Sequence, residues 1–277
     1  MIMRALVIAL ALTGLAAGCG TASAPDRLGA VPTPTVSADP MSLVGMWTVE
    51  VDGKDTGVLR VAEEMTLFQD CGGLFASWEA SHDGGFIAYN ASGSGSCYKS
   101  NVPQLPTWVN AARGFRVDGE TRTLVDDAGT TLVTLLPGGK PHIPSTMSAE
   151  AYGTVPTPSA QLAERMAEPA PLPAGLTAAT DATLTRRWQA PDNPKAYLEF
   201  HTDATYGGTD GCNGEGGRWS LGPSGELLTV TGPHTLVGCN NSQAGGWLAS
   251  AGRAGIDGDE LVLLDASGHE LGRLRAS

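Results

Sequence analysis

The residues whose types and spacing admit chemistry are two cysteine pairs and one asparagine. Gly211-Cys212-Asn213-Gly214, followed by Thr235-Leu236-Val237-Gly238-Cys239, brings thiols, a carboxamide and a glycine-rich turn close together in sequence. A second pair, Cys71 and Cys97, is separated by 26 residues against 27 for Cys212 and Cys239. Zinc would want four thiolates or imidazoles at close spacing, and a redox dithiol usually reads C-x-x-C. The chain has no C-x-x-C and no histidine near enough in sequence to complete a pair. A nucleophilic cysteine would have to stand unpaired. Structural disulfides fit best, and no metal or cofactor site is assigned.

Other catalytic signatures are missing. There is no G-x-S-x-G, H-E-x-x-H, phosphate loop or dinucleotide fingerprint. The histidines (His82, His142, His201, His234, His269) are scattered, mostly beside turn residues, and read as exposed loop positions. The acid-and-glycine run 203–215 fails as a calcium loop. Its acids fall at the first, eighth and thirteenth positions, whereas an EF-hand alternates ligands and ends on a bidentate Glu at the twelfth. It reads instead as a hairpin end feeding Cys212. Asn213 reads first as the cap of a tight turn, a role suited to Asn, with ligand binding as its second possible role. Trp47 and Trp188 read as core residues opening a first strand rather than as ligand stackers. No catalytic residue is assigned, and a non-enzyme is expected.

The elements that position these residues occur twice. Trp47 precedes Cys71 by 24 residues, and Trp188 precedes Cys212 by the same 24. After each second cysteine comes a Trp-bearing segment, 105–113 and 243–253, each expected to form a helix of two or three turns. Val117-Asp118-Gly119-Glu120 and Ile256-Asp257-Gly258-Asp259 then lead into alternating apolar residues, broken by turns at Asp127-Ala128-Gly129 and Ala266-Ser267-Gly268. Spacing that agrees over so long a series indicates an internal duplication. Of the three pairings open to four cysteines, it selects Cys71–Cys97 and Cys212–Cys239. Alternation, high Gly and Pro content and regular turns predict a mainly β (α+β) chain of two tandem antiparallel sheets, each with one short helix. The units span 42–137 and 177–277. They are joined by a Pro/Ala-rich linker, 138–176, in which 161–167 has the pattern of one or two helical turns.

The chain begins with an export pattern. Arg4 precedes an apolar run from Ala5 to Leu12, too short for a spanning helix, which needs ~20 apolar residues, and typical of a signal peptide over 1–18. Its end, Leu15-Ala16-Ala17-Gly18-Cys19, resembles the bacterial lipobox. That resemblance implies a diacylglycerol on Cys19 and cleavage just before it, which removes the odd fifth cysteine from the disulfide count. The usual leucine three places before the cysteine is Ala16 here, with Leu15 one place further back. Residues 19–41 then read as the lipidated cysteine and a flexible tether. Export supplies an oxidising compartment for disulfides. The expected location is the extracytoplasmic face of the cell membrane. The net charge of −12 repels phosphate backbones and excludes nucleic acid as a natural partner.

The C-terminal unit resembles the META, or HslJ-like, domain. The resemblance rests on Trp188, Leu198 and Phe200, Gly211-Cys212-Asn213, Thr235 through Cys239, Trp247-Leu248 and the closing hairpin 256–274. It departs from the pattern at Arg187, where Gly is common, and at Val237-Gly238, where Met-Ala is commoner. The N-terminal unit keeps Gly45-Met46-Trp47 but has Asp70-Cys71-Gly72 without the Asn, and is similar to a diverged copy. The resemblance implies sheets curled partly into barrels around one helix. It also implies a surface-attached protein linked to stress tolerance, with no established catalytic residues. The expected function is an exported, lipid-anchored protein whose two non-catalytic modules bind or scaffold an envelope protein partner. The alternative is a surface inhibitor of a secreted hydrolase such as a lysozyme or protease.

Overall fold

Alternating burial sets both sheets. In the strand Gly72–Ala80, Leu74, Ala76, Trp78 and Ala80 are buried in the first core while Phe75, Ser77 and Glu79 point the other way, as a strand with one core face requires. The computed structural model describes residues 38–99, 102–235, 237–238 and 241–277. The leader, Cys19, the tether to residue 37 and Cys239 lie outside the described residues.

The first sheet contains β1 Gly45–Val51, β2 Lys54–Val61, β3 Met65–Gln69, β4 Gly72–Ala80 and β5 Phe86–Gly93. A small ladder, β6 Tyr98–Lys99 with β7 Val102–Pro103, and helix α1 Thr107–Ala111 lead to β8 Gly114–Asp118, β9 Thr121–Val125 and β10 Thr131–Pro137. The linker carries α2 Ala149–Gly153 and α3 Ala160–Arg165. The second sheet follows: β11 Thr177–Ala178, α4 Asp181–Leu184, β12 Arg187–Gln189, β13 Tyr197–Phe200, β14 Thr205–Thr209, β15 Gly214–Leu221, β16 Leu227–Thr231, α5 Ala244–Ser250, β17 Arg253–Asp257, β18 Glu260–Leu264 and β19 Glu270–Ala276.

The two sheets have one topology. The first runs β5-β4-β3-β2-β1-β10-β9-β8 and the second β11-β17-β18-β19-β12-β13-β14-β15-β16. Apart from the short β11 flap, the second order reproduces the first strand for strand. Each sheet also turns back on itself. Gly85 bridges to Gly114 in one and Glu226 to Arg253 in the other. The closing amides are equivalent too: Phe115 N–H donates to the Gly84 carbonyl at 2.8 Å, and Ala254 N–H to Gly225 at 2.9 Å. Gly84 and Gly225 have φ of 88° and 82°, the left-handed region that favours glycine. The fold is therefore mainly β, with two antiparallel sheets each curled into a nearly closed barrel.

Six tryptophans fall into three equivalent pairs. Trp47 and Trp188 donate their indole N–H to the carbonyls of Leu43 and Leu184, at 2.8 and 2.9 Å. These acceptors end the 3-10 turn Pro40–Leu43 and α4. Trp78 and Trp219 donate to Ala62 and Thr205. Trp108 and Trp247 sit in α1 and α5. Both opening tryptophans are core residues, as expected. Cys71 and Cys97 form a disulfide with Cα atoms 4.9 Å apart, linking the β3–β4 turn to the segment after β5.

Two expectations need correction. The helix expected over 105–113 is only α1, because Pro106 stands at its N-cap and strand pairing resumes at Gly114. In the other copy α5 spans seven residues. The last tether residues are part of the first barrel: Ala38 is buried in its core and donates its N–H to His82 O at 3.0 Å. The helical turns expected within the linker are present as α3. Ser159 caps α3, and Leu162 and Met166 insert into the first core. Tyr152 packs edge-on against Phe68 and Phe75. Further along, Arg253 clamps the chain against the second barrel, donating to the Ala170, Pro169 and Ser224 carbonyls while pairing with Glu226 at 2.9 Å.

The described residues from 38 to 277 belong to one compact unit. The barrels meet through equivalent hairpins, β4–β5 against β15–β16. Ile87 and Val230 are buried there, outside both barrel cores, and the Tyr89 ring lies on Gly232. Among the described residues no helix is long and apolar enough to cross a membrane.

Candidate functional site

The turn between β14 and β15 is built on Asp210. Its Oδ1 accepts the backbone N–H groups of Cys212 and Asn213 at 2.8 and 2.6 Å. Its Oδ2 accepts from the side chains of Asn213 and Asn241 at 2.9 and 2.6 Å. Desolvation alone would raise the Asp210 carboxyl, but these donors outweigh it and hold the group below the ordinary carboxylate range.

Asn213 is buried and internally saturated. Its Nδ2 donates to Asp210 Oδ2 and to Val237 O at 3.0 Å, and its Oδ1 accepts from Thr235 Oγ1 at 2.8 Å and Val237 N at 2.7 Å. All its donor and acceptor capacity is used within the chain, so its observed role is a clamp between the turn and the returning segment. Cys212 is disulfide-bonded; its expected partner, Cys239, lies outside the described residues.

The first barrel does the same job differently. Trp78 matches Trp219 and the strand registers agree, with Leu67 opposite Leu74 in one and Gly208 opposite Glu215 in the other. On that alignment Gly72 occupies the place of Asn213. There the returning segment touches the turn directly, through Ser96 N to Cys71 O and Ser94 N to Gly73 O, both at 2.7 Å. A Cβ on Gly72 would lie 2.3 Å from Ser94 O. Where the first barrel uses backbone, the second interposes a side chain.

The same alignment isolates Glu215. Leu67 and Leu74 are core residues of the first barrel; their counterparts are Gly208 and Glu215. The exchange removes two aliphatic side chains from one end of the second barrel and turns a carboxyl inward. A cavity of about 530 Å³ opens there, lined by Glu215, Asn213, Thr231, His234, Val237 and Ala249 among others. A second, of about 410 Å³, lies on the other side of Glu215, between Tyr206, Tyr89 and Pro233. Glu215 Oε1 is buried without a hydrogen-bond partner among the described residues. Burial, then the nearby charge of Asp210, push this carboxyl above its usual range, with His234 opposing. Tyr206, pushed up to about 12 mainly by burial, stays a neutral phenol and bonds Thr231 Oγ1 at 2.9 Å.

The remaining sequence candidates do not converge here. His142, His201 and His269 are exposed and His82 is half-buried, all away from these cavities. The run 203–215 spans β14 and its turn, the hairpin end expected. Among the described residues no three His, Cys, Asp or Glu side chains gather as a metal site. Sequence reading missed Glu215, although pairing Trp78 with Trp219 as well as Trp47 with Trp188 would have set it against Leu74. It also missed Arg218, 5% exposed in the seam between barrels, whose Nε and Nη2 have no hydrogen-bond partner among the described residues. Compared with protein-family models, curated proteins and solved structures, the chain matches none.

Proposed function

We propose that this is an exported, lipid-anchored envelope protein of two non-catalytic META-like modules, and that the second module holds a binding groove at Glu215. The observation that carries the groove is the exchange of Leu67 and Leu74 for Gly208 and Glu215, which opens cavities where its twin has packed core. Concave sites that are mostly apolar with few convergent polar groups are the usual form of a ligand pocket. Catalysis fits less well. Of the other polar groups beside Glu215, Asp210 and Asn213 are already engaged in internal hydrogen bonds, and His234, the group able to share proton transfer with the carboxyl, is solvent-exposed.

Two experiments test the two halves of this reading. Palmitate labelling and membrane fractionation compare the full chain with Cys19→Ala; a variant that is still labelled and retained overturns the anchor. Pull-down from envelope extract compares wild type with Glu215→Leu, which restores the residue of the first barrel. Proteins captured by wild type and lost with the variant support the groove, and equal capture rejects it. Loss of activity of a captured hydrolase would favour the inhibitor reading over scaffolding.

A further inference from the structure

We infer that the groove at Glu215 takes an organic cation: an ammonium or guanidinium group carried on an aliphatic stem. The inference rests on the groove being a binding site and adds the class of its ligand. Three observations point this way. Glu215 presents a carboxyl whose Oε1 is buried without a hydrogen-bond partner among the described residues, and a buried carboxylate left unpaired is costly until a donor or counter-charge reaches it. The cavities on either side are lined by Tyr89, Tyr206, Pro233, Val237 and Ala249, surfaces on which a stem packs and, for the rings, on which a cation is attracted. No lysine or arginine is among the described residues lining either cavity, so the counter-charge is not supplied by the chain itself.

The neighbouring groups favour a cation over a neutral polyol. A sugar needs many free donors and acceptors, yet Asn213 and Thr235 already bond to each other and to the turn. Thr231 bonds Tyr206. The charged or titratable groups facing Glu215 are Asp210 from the β14–β15 turn, His234 from the segment after β16, Tyr206 from β14 and Tyr89 from β5. Helix α5, packed over the carboxyl, contributes none. Space at the carboxyl depends on Gly245: a Cβ there would lie 2.0 Å from Glu215 Oε2, whereas at Gly246 the nearest group, Gln243 Oε1, is 4.0 Å away.

The test is calorimetric titration of the full chain in detergent with Nα-acetyl-lysine amide, and in parallel with the arginine amide. Nα-acetyl-norleucine amide, which keeps the stem and loses the charge, is expected to bind at least tenfold more weakly, and so is either cation to Glu215→Gln. Gly245→Ala should weaken binding, with urea melts confirming that each variant folds. Affinity for the amine should rise with pH as Glu215 ionises and level off once it is fully charged. Equal binding of the norleucine amide, or undiminished binding by Glu215→Gln, overturns the inference. If neither cation binds while envelope capture still depends on Glu215, the cation class is wrong and the groove stands. If capture is also indifferent to Glu215, the groove falls with it.

Discussion

Replacing Arg218 with methionine should make the protein more stable. The guanidinium sits on the outer face of β15, in the seam between barrels, with two of its nitrogens unpartnered among the described residues. Burial first, and then the like charge of Arg113, pull it down from the usual arginine range to about 10, against the weaker pull of Asp203 and Asp127. At about 1.4 kcal/mol for each tenfold change, holding the charge there costs on the order of 3 kcal/mol as an upper bound. Solvent screening reduces this, and a net gain of about 1–2 kcal/mol is expected when methionine keeps the stem contacts and removes the charge. The sign is definite. Below pH 10 the arginine is charged in folded and unfolded chains alike, so the penalty is constant, and it is relieved only as pH rises above about 10 towards the usual arginine range. Urea unfolding of Arg218→Met between pH 6 and 9 should therefore show a higher midpoint at unchanged slope and no pH trend in the difference. A variant less stable by 1 kcal/mol or more would mean that Arg218 has a partner holding it in place, and the reasoning would fail.

Other expectations follow from the same geometry. Glu79, pushed up to about 7 by burial with Arg165 at 3.0 Å only partly offsetting, binds a proton in the folded chain that the unfolded chain has released. Stability should thus fall as pH rises from 4.5 to about 7, and Glu79→Gln should exceed wild type by about 1–2 kcal/mol at pH 8 but not at pH 4, as read from paired urea melts. Asn213→Ala removes four hydrogen bonds and should lower stability by about 2–4 kcal/mol; a loss under about 1 kcal/mol would show that the clamp is dispensable. Leu162→Ala lies in the linker yet empties a position 1% exposed in the first core. It should cost about 2–5 kcal/mol and open 138–176 to limited proteolysis, whereas a passive linker would show neither effect.

Much of the architecture was legible because it is written in local patterns that occur twice. Trp47 and Trp188, the cysteine spacings and the Asp-Gly turns mark equivalent points of two barrels, and period-two alternation names their strands. The Cys71–Cys97 bridge followed from that duplication. What sequence reading missed depends on partners far along the chain. Leu162 and Met166 sit in a segment rich in Pro and Ala, and nothing local reveals that they fill another unit's core. Arg218 looks like an outward-facing strand residue, as it is, until the second barrel is placed against β4–β5 of the first. Glu215 lay in a run of acids and glycines that invited a loop reading; its meaning appears only when Leu74 is seen at the same point of the other copy. Asn213, singled out from its neighbours in sequence, belongs to the scaffold beside the groove and has no free valence to offer a ligand.

The meeting of β4–β5 with β15–β16 has a consequence in mass action. A partly polar seam, with two guanidinium nitrogens of Arg218 unpartnered among the described residues, is a weak basis for association between separate chains. Here the linker joins the partners covalently and is itself fastened along its course, by Leu162 to one barrel and by Arg253 to the other. The effective concentration of one half around the other is then in the millimolar range or above, and an interface too weak for a dimer is sufficient within one chain. Tolerance of Arg218 can thus be read as a result of fusion: once the halves could no longer drift apart, the pressure to perfect the surface between them was relaxed.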